Sequence, residues 1–370
     1  MLTAEDVARI TSLDDLIDFF DVDLEAWQVR DFRVNKWEQH SVANGIVPLY
    51  QVRANLVRNV ERDREIAAET LRELFEDIRV HAPPYLRARP APSEATAEPV
   101  MVELALMDPH LGMLAWEPET GNSYDLERGT RDYRRAVEHL LRTATLYPNV
   151  EKILLVVGND TLHVDSLQDG KVGATTAGTP QDFDSRLPKI FSEARRAIVD
   201  AVDMALEIAP VDVVVVPGNH DEHSMYKLGE VLSAWYRNCD RVTVDNRPTL
   251  RKYYTYGGNL IGLTHGKEFR RKRDNLALIM LDEAPRQGLD LREYVCREWH
   301  TGHYHATAER VYMSPAEDLT EIRGIRCRSL PGLTGHDAWH VSEGYHHLRA
   351  STALVYRRSG GFVGLQEFHP

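Results

Sequence analysis

The chain has 370 residues, of which 43% are hydrophobic and 27% charged, and its formal net charge at pH 7 is −13. These values are typical of a folded protein of two or three domains, and the negative net charge argues against a surface that binds nucleic acid all over. The apolar runs are too short to span a membrane and the three scattered cysteines form no CxxC pair, which argues against a membrane protein, a disulfide framework and a thiolate metal site.

Residues 1–81 are predicted to form a small, mainly helical module. Two short helices are expected within 3–20, because Thr3 and Ser12 each stand three residues before an aspartate, in the spacing of a capping box. Such a pair is either a DNA-binding helix-turn-helix or a simple packing unit. A further helix is expected over 62–78 from its apolar periodicity. No apolar segment typical of a secretory signal occurs near the start, so the expected location is the cytoplasm.

Residues 82–99 are rich in proline and alanine and are predicted to be a linker. In the following segment, 100–370, short apolar stretches alternate with helical ones, which is typical of an α/β domain with parallel strand pairing. The predicted strands lie at 102–107, 152–157, 211–216 and 259–264, with helices near 131–147 and 188–208.

Five polar motifs share one position, because each of them follows a predicted strand. In chain order they are Asp108-Pro109-His110, Gly158-Asn159-Asp160, Gly218-Asn219-His220-Asp221, His265-Gly266 and Gly302-His303-Tyr304-His305. Strand ends are where α/β folds place ligands. Together the motifs offer two carboxylates, four imidazoles and one amide oxygen, a set that suits two divalent transition-metal ions better than calcium or a thiolate site.

The motifs resemble those of the calcineurin-like metallophosphoesterase superfamily over residues 100–310. The resemblance implies a fold of two packed β-sheets flanked by helices, with the last strands between 312 and 368, and makes 100–370 a catalytic domain. It also implies two metal ions, for which Mn²⁺ is expected and Mg²⁺, Fe²⁺ and Zn²⁺ are alternatives. The ligands implied for the first ion are Asp108, His110, Asp160 and His305, and those for the second are Asn219, His265 and His303.

Asp160 is assigned as the carboxylate that bridges the two ions. The family usually has Gly-Asp where this chain has Gly-Asn-Asp, and only a carboxylate neutralises two cations, which Asn159 cannot do. Asp165 is the alternative bridge if the strand ends later. The implied reaction is hydrolysis of a phosphoester by metal-activated hydroxide. His220 is the family's candidate to assist the leaving oxygen, oriented by Asp221, with a purely hydrogen-bonding role for His220 left open.

Within the superfamily the motifs are most similar to those of the SbcD-like DNA-repair nucleases, with DPHLG in the first motif and His163 three residues after the bridging aspartate. Next to His265 lies a cluster of bases that favours a groove for a polyanion, formed by Lys267, Arg270, Arg271, Lys272 and Arg273. The leading prediction is therefore a Mn²⁺-dependent nuclease with DNA favoured over RNA as its nucleic-acid partner.

Two other functions stay open at this point. The same metal pair serves a phosphatase or phosphodiesterase that acts on a nucleotide or another small phosphoester, because a fold does not decide the substrate. A non-catalytic protein that binds nucleic acid or serves as a scaffold is the third interpretation. Two segments are candidates to shape a substrate pocket, the Gly- and Thr-rich 170–184 and the His-rich 331–347. Homo-oligomer formation is left open.

Overall fold

The computed structural model describes residues 10–24, 27–41, 45–58, 72, 97–168, 172–267, 274–303, 319–344 and 347–370. The chain forms two compact units, Met1–Pro83 and Pro84–Pro370. Most of the predicted linker, up to residue 96, lies outside the described residues.

The first unit contains helix α1 (Leu13–Phe19) and an antiparallel pair of long strands, β1 (Trp27–Ser41) and β2 (Gly45–Arg58). The predicted capping box at Ser12 is confirmed, since Ser12 and Asp15 exchange side-chain to backbone hydrogen bonds of 3.1 and 2.9 Å. Apart from this helix, the helical Arg72 and a short turn, the described part of the unit is strand, where a mainly helical module was expected.

The sequence explains why strands form in the first unit. Aromatic and β-branched residues recur along 27–58, and the Asn44-Gly45 dipeptide between the two runs is a strong hairpin signal. The first of the two short helices expected within 3–20 lies outside the described residues. The helix predicted over 62–78 also does, apart from Arg72, which is helical.

The second unit contains strands and helices that alternate along most of its length. Its strands are β3 (Val100–Ala105), β4 (Val150–Gly158), β5 (Ser166–Gln168), β6 (Val172–Ala174), β7 (Val211–Val216), β8 (Val242–Asp245), β9 (Arg251–Tyr256), β10 (Asn259–Thr264), β11 (Cys296–Thr301), β12 (Leu319–Ile322), β13 (Ile325–Ser329), β14 (Ser351–Arg357) and β15 (Phe362–Phe368). Its α-helices are α2 (Glu117–Thr120), α3 (Leu126–Ala144), α4 (Leu187–Leu206), α5 (Glu222–Trp235), α6 (Asp274–Arg286) and α7 (Ala338–Ser342).

A six-stranded sheet has the order β15-β14-β3-β4-β7-β8. Its strands β3, β4, β7 and β8 pair in parallel, as predicted from the alternation of strands and helices, and β14 and β15 add antiparallel at one edge. The central strands are almost wholly apolar because both faces of the sheet are covered. Helices α3, α4 and α5 cover one face, with Leu140, Ile198 and Leu228 in the shared core.

A five-stranded sheet, of order β12-β13-β11-β10-β9, covers the other face of the first sheet. Leu154 and Val214 of the first sheet share a core with Ile261 and Leu263 of the second. Helix α6 covers the outer face of the second sheet. The predicted α/β fold of two packed sheets flanked by helices is therefore confirmed. None of the helices in the described part of the chain is both long and apolar enough to cross a membrane.

Candidate metal centre

The polar motifs meet at one edge of the two packed sheets. Asp108 follows β3, Asp160 follows β4 and Asn219 follows β7, three strands that are neighbours in the first sheet. His265 follows β10 and His303 follows β11, which are neighbours in the second. All five strands end at the same edge because β3, β4 and β7 run parallel, as do β10 and β11. The prediction that strand ends gather these side chains is confirmed.

Within the described part of the chain, the converged side chains form three groups that could hold a metal ion. In the first group, Asp108, His110 and Asp160 offer ligand atoms that all lie within 4.8 Å of one another, and in the second group so do Asp160, His265 and His303. The third group is His110, His163 and His220, which shares His110 with the first. Asp160 is the carboxylate that the first and second groups share. A bridging carboxylate would have this position, and the assignment of the other ligands to two ions stays a prediction.

The second group surrounds a single ring nitrogen. The Nε2 atom of His265 lies 3.0 Å from Asp160 Oδ2, 3.0 Å from Asn219 Oδ1 and 3.0 Å from His303 Nδ1. A ring nitrogen donates or accepts one hydrogen bond, so three partners exceed what hydrogen bonding can satisfy. Oxygen and imidazole donors in this arrangement suit a divalent transition-metal ion, and the residues present therefore fit one.

The backbone around these ligands lies in the left-handed region, which non-glycine residues seldom adopt. Positive φ angles occur at Asp108 (48°), His110 (45°), Asn159 (52°), Asp160 (59°) and His303 (71°). Two glycines leave room for the carboxylates: a Cβ atom at Gly302 would lie 2.6 Å from Asp108 Oδ2, and one at Gly218 would overlap Asp160. Such strain concentrates at functional sites, where the surrounding structure holds it.

The pKa values of the two buried carboxylates are shifted in opposite directions. Burial and the nearby Asp160 raise the pKa of Asp108 to about 6. Burial would also raise the pKa of Asp160, but His265 and His220 outweigh it and hold that pKa well below its usual range. The pKa of His265 is raised to about 9, because the carboxylate of Asp160 outweighs the effect of burial on the imidazole. A buried charge of this kind at the point shared by both groups attracts a cation.

His220 lies beside the first group, with its orientation fixed by the backbone. Its Nδ1 atom lies 2.9 Å from the carbonyl oxygen of His163, so Nδ1 carries the proton, and its backbone N–H donates to Asp160 Oδ1 at 2.7 Å. The His220 ring stacks on that of His163, with centroids 5.3 Å apart, and meets the edge of His110 at 4.7 Å.

The expectation that Asp221 orients His220 is corrected by this geometry. The Asp221 carboxylate is fully buried and accepts the backbone N–H groups of Leu162 and Gly218, each at 3.0 Å. It therefore ties the loop after β4 to the loop after β7, and so supports Asp160 and Asn219 indirectly. The partner of the His220 ring is a main-chain carbonyl, which no sequence pattern indicates.

His163 and Asp165 have different roles. Burial lowers the pKa of His163 to about 3, so its ring is neutral, and its Nδ1 lies 3.2 Å from Nδ1 of His110. Asp165 accepts the backbone N–H groups of His223 and Ser224 at 3.0 and 2.8 Å and thereby anchors the start of α5. Both carboxylate oxygens of Asp165 accept these hydrogen bonds. The alternative assignment of the metal bridge to Asp165 therefore does not hold.

Some predicted site residues lie outside the part of the chain that the structure describes. Lys267 is described and exposed, two residues after His265. The residues outside are His305, Arg270, Arg271, Lys272 and Arg273. The fourth ligand of the first metal ion and most of the basic cluster thus stay predictions.

No protein-family model and no curated protein matches the chain. Among solved structures it is similar to a single mutant of Vps29 from Entamoeba histolytica, with 14% identity over 73% of this chain and 99% of that one and a TM-score of 0.29. It is also similar to Vps29 of Chaetomium thermophilum, with 11% identity over 72% of this chain and 97% of that one and a TM-score of 0.30. The strand order and side chains of the chain itself define its class, an α/β protein of two packed sheets whose strand ends can hold divalent metal ions.

Proposed function

We propose that the chain is a calcineurin-like metallophosphoesterase that hydrolyses phosphodiester bonds with two divalent metal ions, Mn²⁺ above all, and that its substrate is DNA. The observation that carries the proposal is the position of Asp160, which belongs to the first and to the second group of candidate ligands. One carboxylate shared by two groups of donors is the arrangement that a two-metal site needs.

The charge of the site favours a phosphate. Two divalent ions carry four positive charges, of which Asp108 and Asp160 cancel two, so the loaded site attracts an anion. When bound, two such ions lower the pKa of a water molecule and stabilise the charge that develops on the phosphoryl oxygens. Asn219 contributes a neutral oxygen, which leaves this net positive charge unchanged.

His220 is the residue that donates a proton to the leaving oxygen of the substrate. Its Nδ1–H is held by the carbonyl of His163 at 2.9 Å, which leaves Nε2 as the nitrogen that exchanges a proton with substrate. The ring is half-buried and packed between His110 and His163, so its orientation is fixed before substrate binds. Such preorganisation raises the rate of the step that needs the proton.

DNA as substrate is supported by the basic residues after β10. Lys267 stands exposed two residues from His265, and four further bases follow it in the sequence. Lysine and arginine beside a phosphate-binding centre contact neighbouring backbone phosphates and make binding depend on salt. The similarity of the motifs to SbcD-like nucleases supports the same substrate.

A small phosphoester is the second candidate, and a cavity next to the site favours it. The cavity has a volume of about 630 Å³ and is lined by Pro217, His223, Tyr226, Lys227 and Arg247 among others. Pro217 and His223 flank the motif that carries His220, and a cavity of this size suits the organic part of a nucleotide.

Hydrolysis of a defined panel of substrates tests the proposal. Purified protein with Mn²⁺ is given end-labelled linear DNA, RNA of the same sequence, mononucleotides and bis-p-nitrophenyl phosphate, each with and without EDTA. We expect metal-dependent cleavage of DNA at a rate well above that of the small substrates. Asp108→Asn should abolish it, whereas exposed Asp240→Asn should not.

Turnover of small substrates alone would favour the nucleotide phosphodiesterase. A folded wild-type protein that turns over nothing on the panel would contradict the enzymatic proposal and support a non-catalytic binding protein.

A further inference from the structure

The third group of candidate ligands consists of histidines alone. His110, His163 and His220 each offer one ring nitrogen, and these nitrogens all lie within 4.8 Å of one another. His110 and His163 are 4% and 2% exposed, whereas His220 is half-buried, which gives an ion a way in from solvent. The group differs from the first and second groups in that all its ligands are neutral rings.

Backbone hydrogen bonds hold the three rings in place. The N–H of His110 donates to the carbonyl of Asp160 at 3.0 Å, and the N–H of His163 donates to the carbonyl of Leu111 at 3.1 Å, so the loops after β3 and β4 are paired. Asp221, which accepts N–H groups from the loops after β4 and β7, joins the third loop to them. The fold therefore positions these histidines before any ion binds, which favours metal affinity.

The ring of His220 makes the hydrogen bond that is typical of a metal ligand. A ligating histidine usually donates its second ring N–H to a carbonyl or carboxylate, which fixes the other nitrogen as the one that faces the ion. In His220, Nδ1 lies 2.9 Å from the carbonyl oxygen of His163, so Nε2 of the neutral ring carries the lone pair. His163 thus contributes to the group with its backbone as well as with its ring.

The ring of His163 is not satisfied by hydrogen bonds within the described residues. Its Nδ1 lies 3.2 Å from Nδ1 of His110, and its Nε2 is buried without a hydrogen-bond partner among those residues. Two nitrogens that bind one tetrahedral zinc ion, each at about 2.1 Å, are about 3.3 Å apart, so the facing Nδ1 atoms already have that separation. An ion bound through either nitrogen gives this buried ring a partner, which buried polar groups normally have.

Three neutral imidazoles favour zinc over manganese. Imidazole nitrogen suits Zn²⁺, whereas Mn²⁺ prefers carboxylates and other oxygen ligands and stands below Zn²⁺ in affinity for a given site. Three histidines also supply the number of protein ligands that zinc takes when its fourth position is left open. We therefore expect Mn²⁺ at the groups that contain Asp108 and Asp160, and Zn²⁺ at the three histidines.

We propose that His110, His163 and His220 form a zinc site whose occupation blocks the metal centre. A neutral imidazole has one nitrogen with a free lone pair, so His110 serves one ion at a time. Zinc held by the three histidines takes His110 from the first group and Nε2 of His220 from proton donation. The inhibition rests on the phosphodiesterase function proposed above, whereas the zinc site itself does not.

Zinc binding is measured in a protein that lacks the shared carboxylate. Asp160→Asn removes a ligand of the first and second groups, but it leaves the three histidines and an Oδ1 atom to accept the N–H of His220. Equilibrium dialysis against Zn²⁺ and Mn²⁺, followed by inductively coupled plasma mass spectrometry, should find one zinc ion per chain and little manganese.

Adding His163→Leu to this protein should weaken zinc binding by more than the roughly 10–100-fold that loss of an outer hydrogen-bond partner of a ligand costs. Adding His369→Leu is the matched control, since His369 is exposed and follows β15. Because His163 is buried, thermal unfolding accompanies each variant, and His220→Gln removes one ligand at a half-buried position instead. His220→Gln should weaken zinc binding as His163→Leu does.

Inhibition is measured in protein that keeps Asp160 and is loaded with Mn²⁺. The quantity compared is the ratio of the hydrolysis rates with and without Zn²⁺, so that each variant is its own reference. At one zinc concentration the ratio should fall at least about tenfold in the wild type and in His369→Leu, and less than about twofold in His163→Leu.

An Asp160→Asn protein that binds no zinc, or that binds it equally well with and without His163→Leu, would overturn the site. Equal inhibition of the wild type and His163→Leu would overturn its regulatory role, because zinc would then act by displacing Mn²⁺ from the two-metal centre. Zinc bound as predicted by a protein that hydrolyses no substrate would contradict the phosphodiesterase and leave the zinc site standing.

Discussion

Replacing Gly218 by alanine should impair hydrolysis by displacing Asp160. A Cβ atom at position 218 would lie 2.0 Å from Oδ1, 2.3 Å from the backbone nitrogen and 2.7 Å from Cγ of Asp160, whereas ordinary van der Waals contact begins at 3.4 Å. The carboxyl group and backbone of Asp160 must therefore move by about 1 Å or more, and this carboxyl group is shared by the first and second groups that could hold a metal ion. A misplacement of roughly 1 Å in a catalytic group costs about a hundredfold in rate, so we expect a loss of this order in kcat/KM.

The assay is hydrolysis of bis-p-nitrophenyl phosphate with saturating Mn²⁺, accompanied by thermal unfolding. Gly364→Ala is the matched control, because nothing lies within 4 Å of a Cβ atom at that position in β15. The control should keep its activity and unfold within a few degrees of the wild type, whereas Gly218→Ala should also lose stability because the backbone of residue 160 has to shift. A Gly218→Ala protein with wild-type kcat/KM would refute the placement of Asp160 against the backbone of residue 218.

Three further predictions concern the residues around the centre. His220→Gln should keep its bound metal and lose about 10²–10⁴-fold in kcat, because it removes the proton donor only, and metal analysis beside kinetics checks this. Asp221→Ala leaves two buried N–H groups without their acceptor, so urea unfolding should show a loss of about 1–3 kcal/mol for each of them. Between the sheets, the carboxylates of Glu103 and Glu298 outweigh burial and raise the pKa of His300 to about 9. This pKa exceeds that of a histidine in the unfolded chain, about 6.5, so protonation of His300 stabilises the fold by on the order of 3 kcal/mol. The stabilisation is complete below pH 6.5 and is lost as the pH rises through 9. Thermal unfolding from pH 6 to 10 should show this fall in the wild type, and a flatter profile in His300→Gln.

The core sheet could be predicted from the sequence because its strands carry a strong local signal. Apolar runs such as 153–157 and 213–216 have no polar alternation, which occurs where a strand is covered on both faces. The metal ligands follow from the same logic, since a polar motif after each parallel strand is delivered to one edge. The gathering of these side chains at one edge was therefore predictable from the strand pattern, whereas their assignment to two ions is implied by the resemblance alone and stays a prediction.

Other features depend on contacts between distant residues, which local patterns do not show. The ring of His220 is held by a main-chain carbonyl, and every residue has one, so no residue type marks the partner. Asp165 accepts the N–H of His223, which lies 58 residues further along the chain. The hairpin of the first unit differs from the prediction for another reason. The capping signals at Thr3 and Ser12 and the periodicity of 62–78 favour helix but say nothing about residues 27–58, where the Asn44-Gly45 turn signal favours a hairpin.

The number of metal ions bound by each chain tests the central claim most directly. Wild type and Asp160→Asn are loaded with Mn²⁺, desalted and analysed by inductively coupled plasma mass spectrometry alongside protein concentration. We predict two ions per chain in the wild type and close to none in the variant, because the same carboxylate serves both groups of ligands. A wild type that holds a single ion, or an Asp160→Asn protein that still holds two, would contradict a two-metal centre bridged by Asp160.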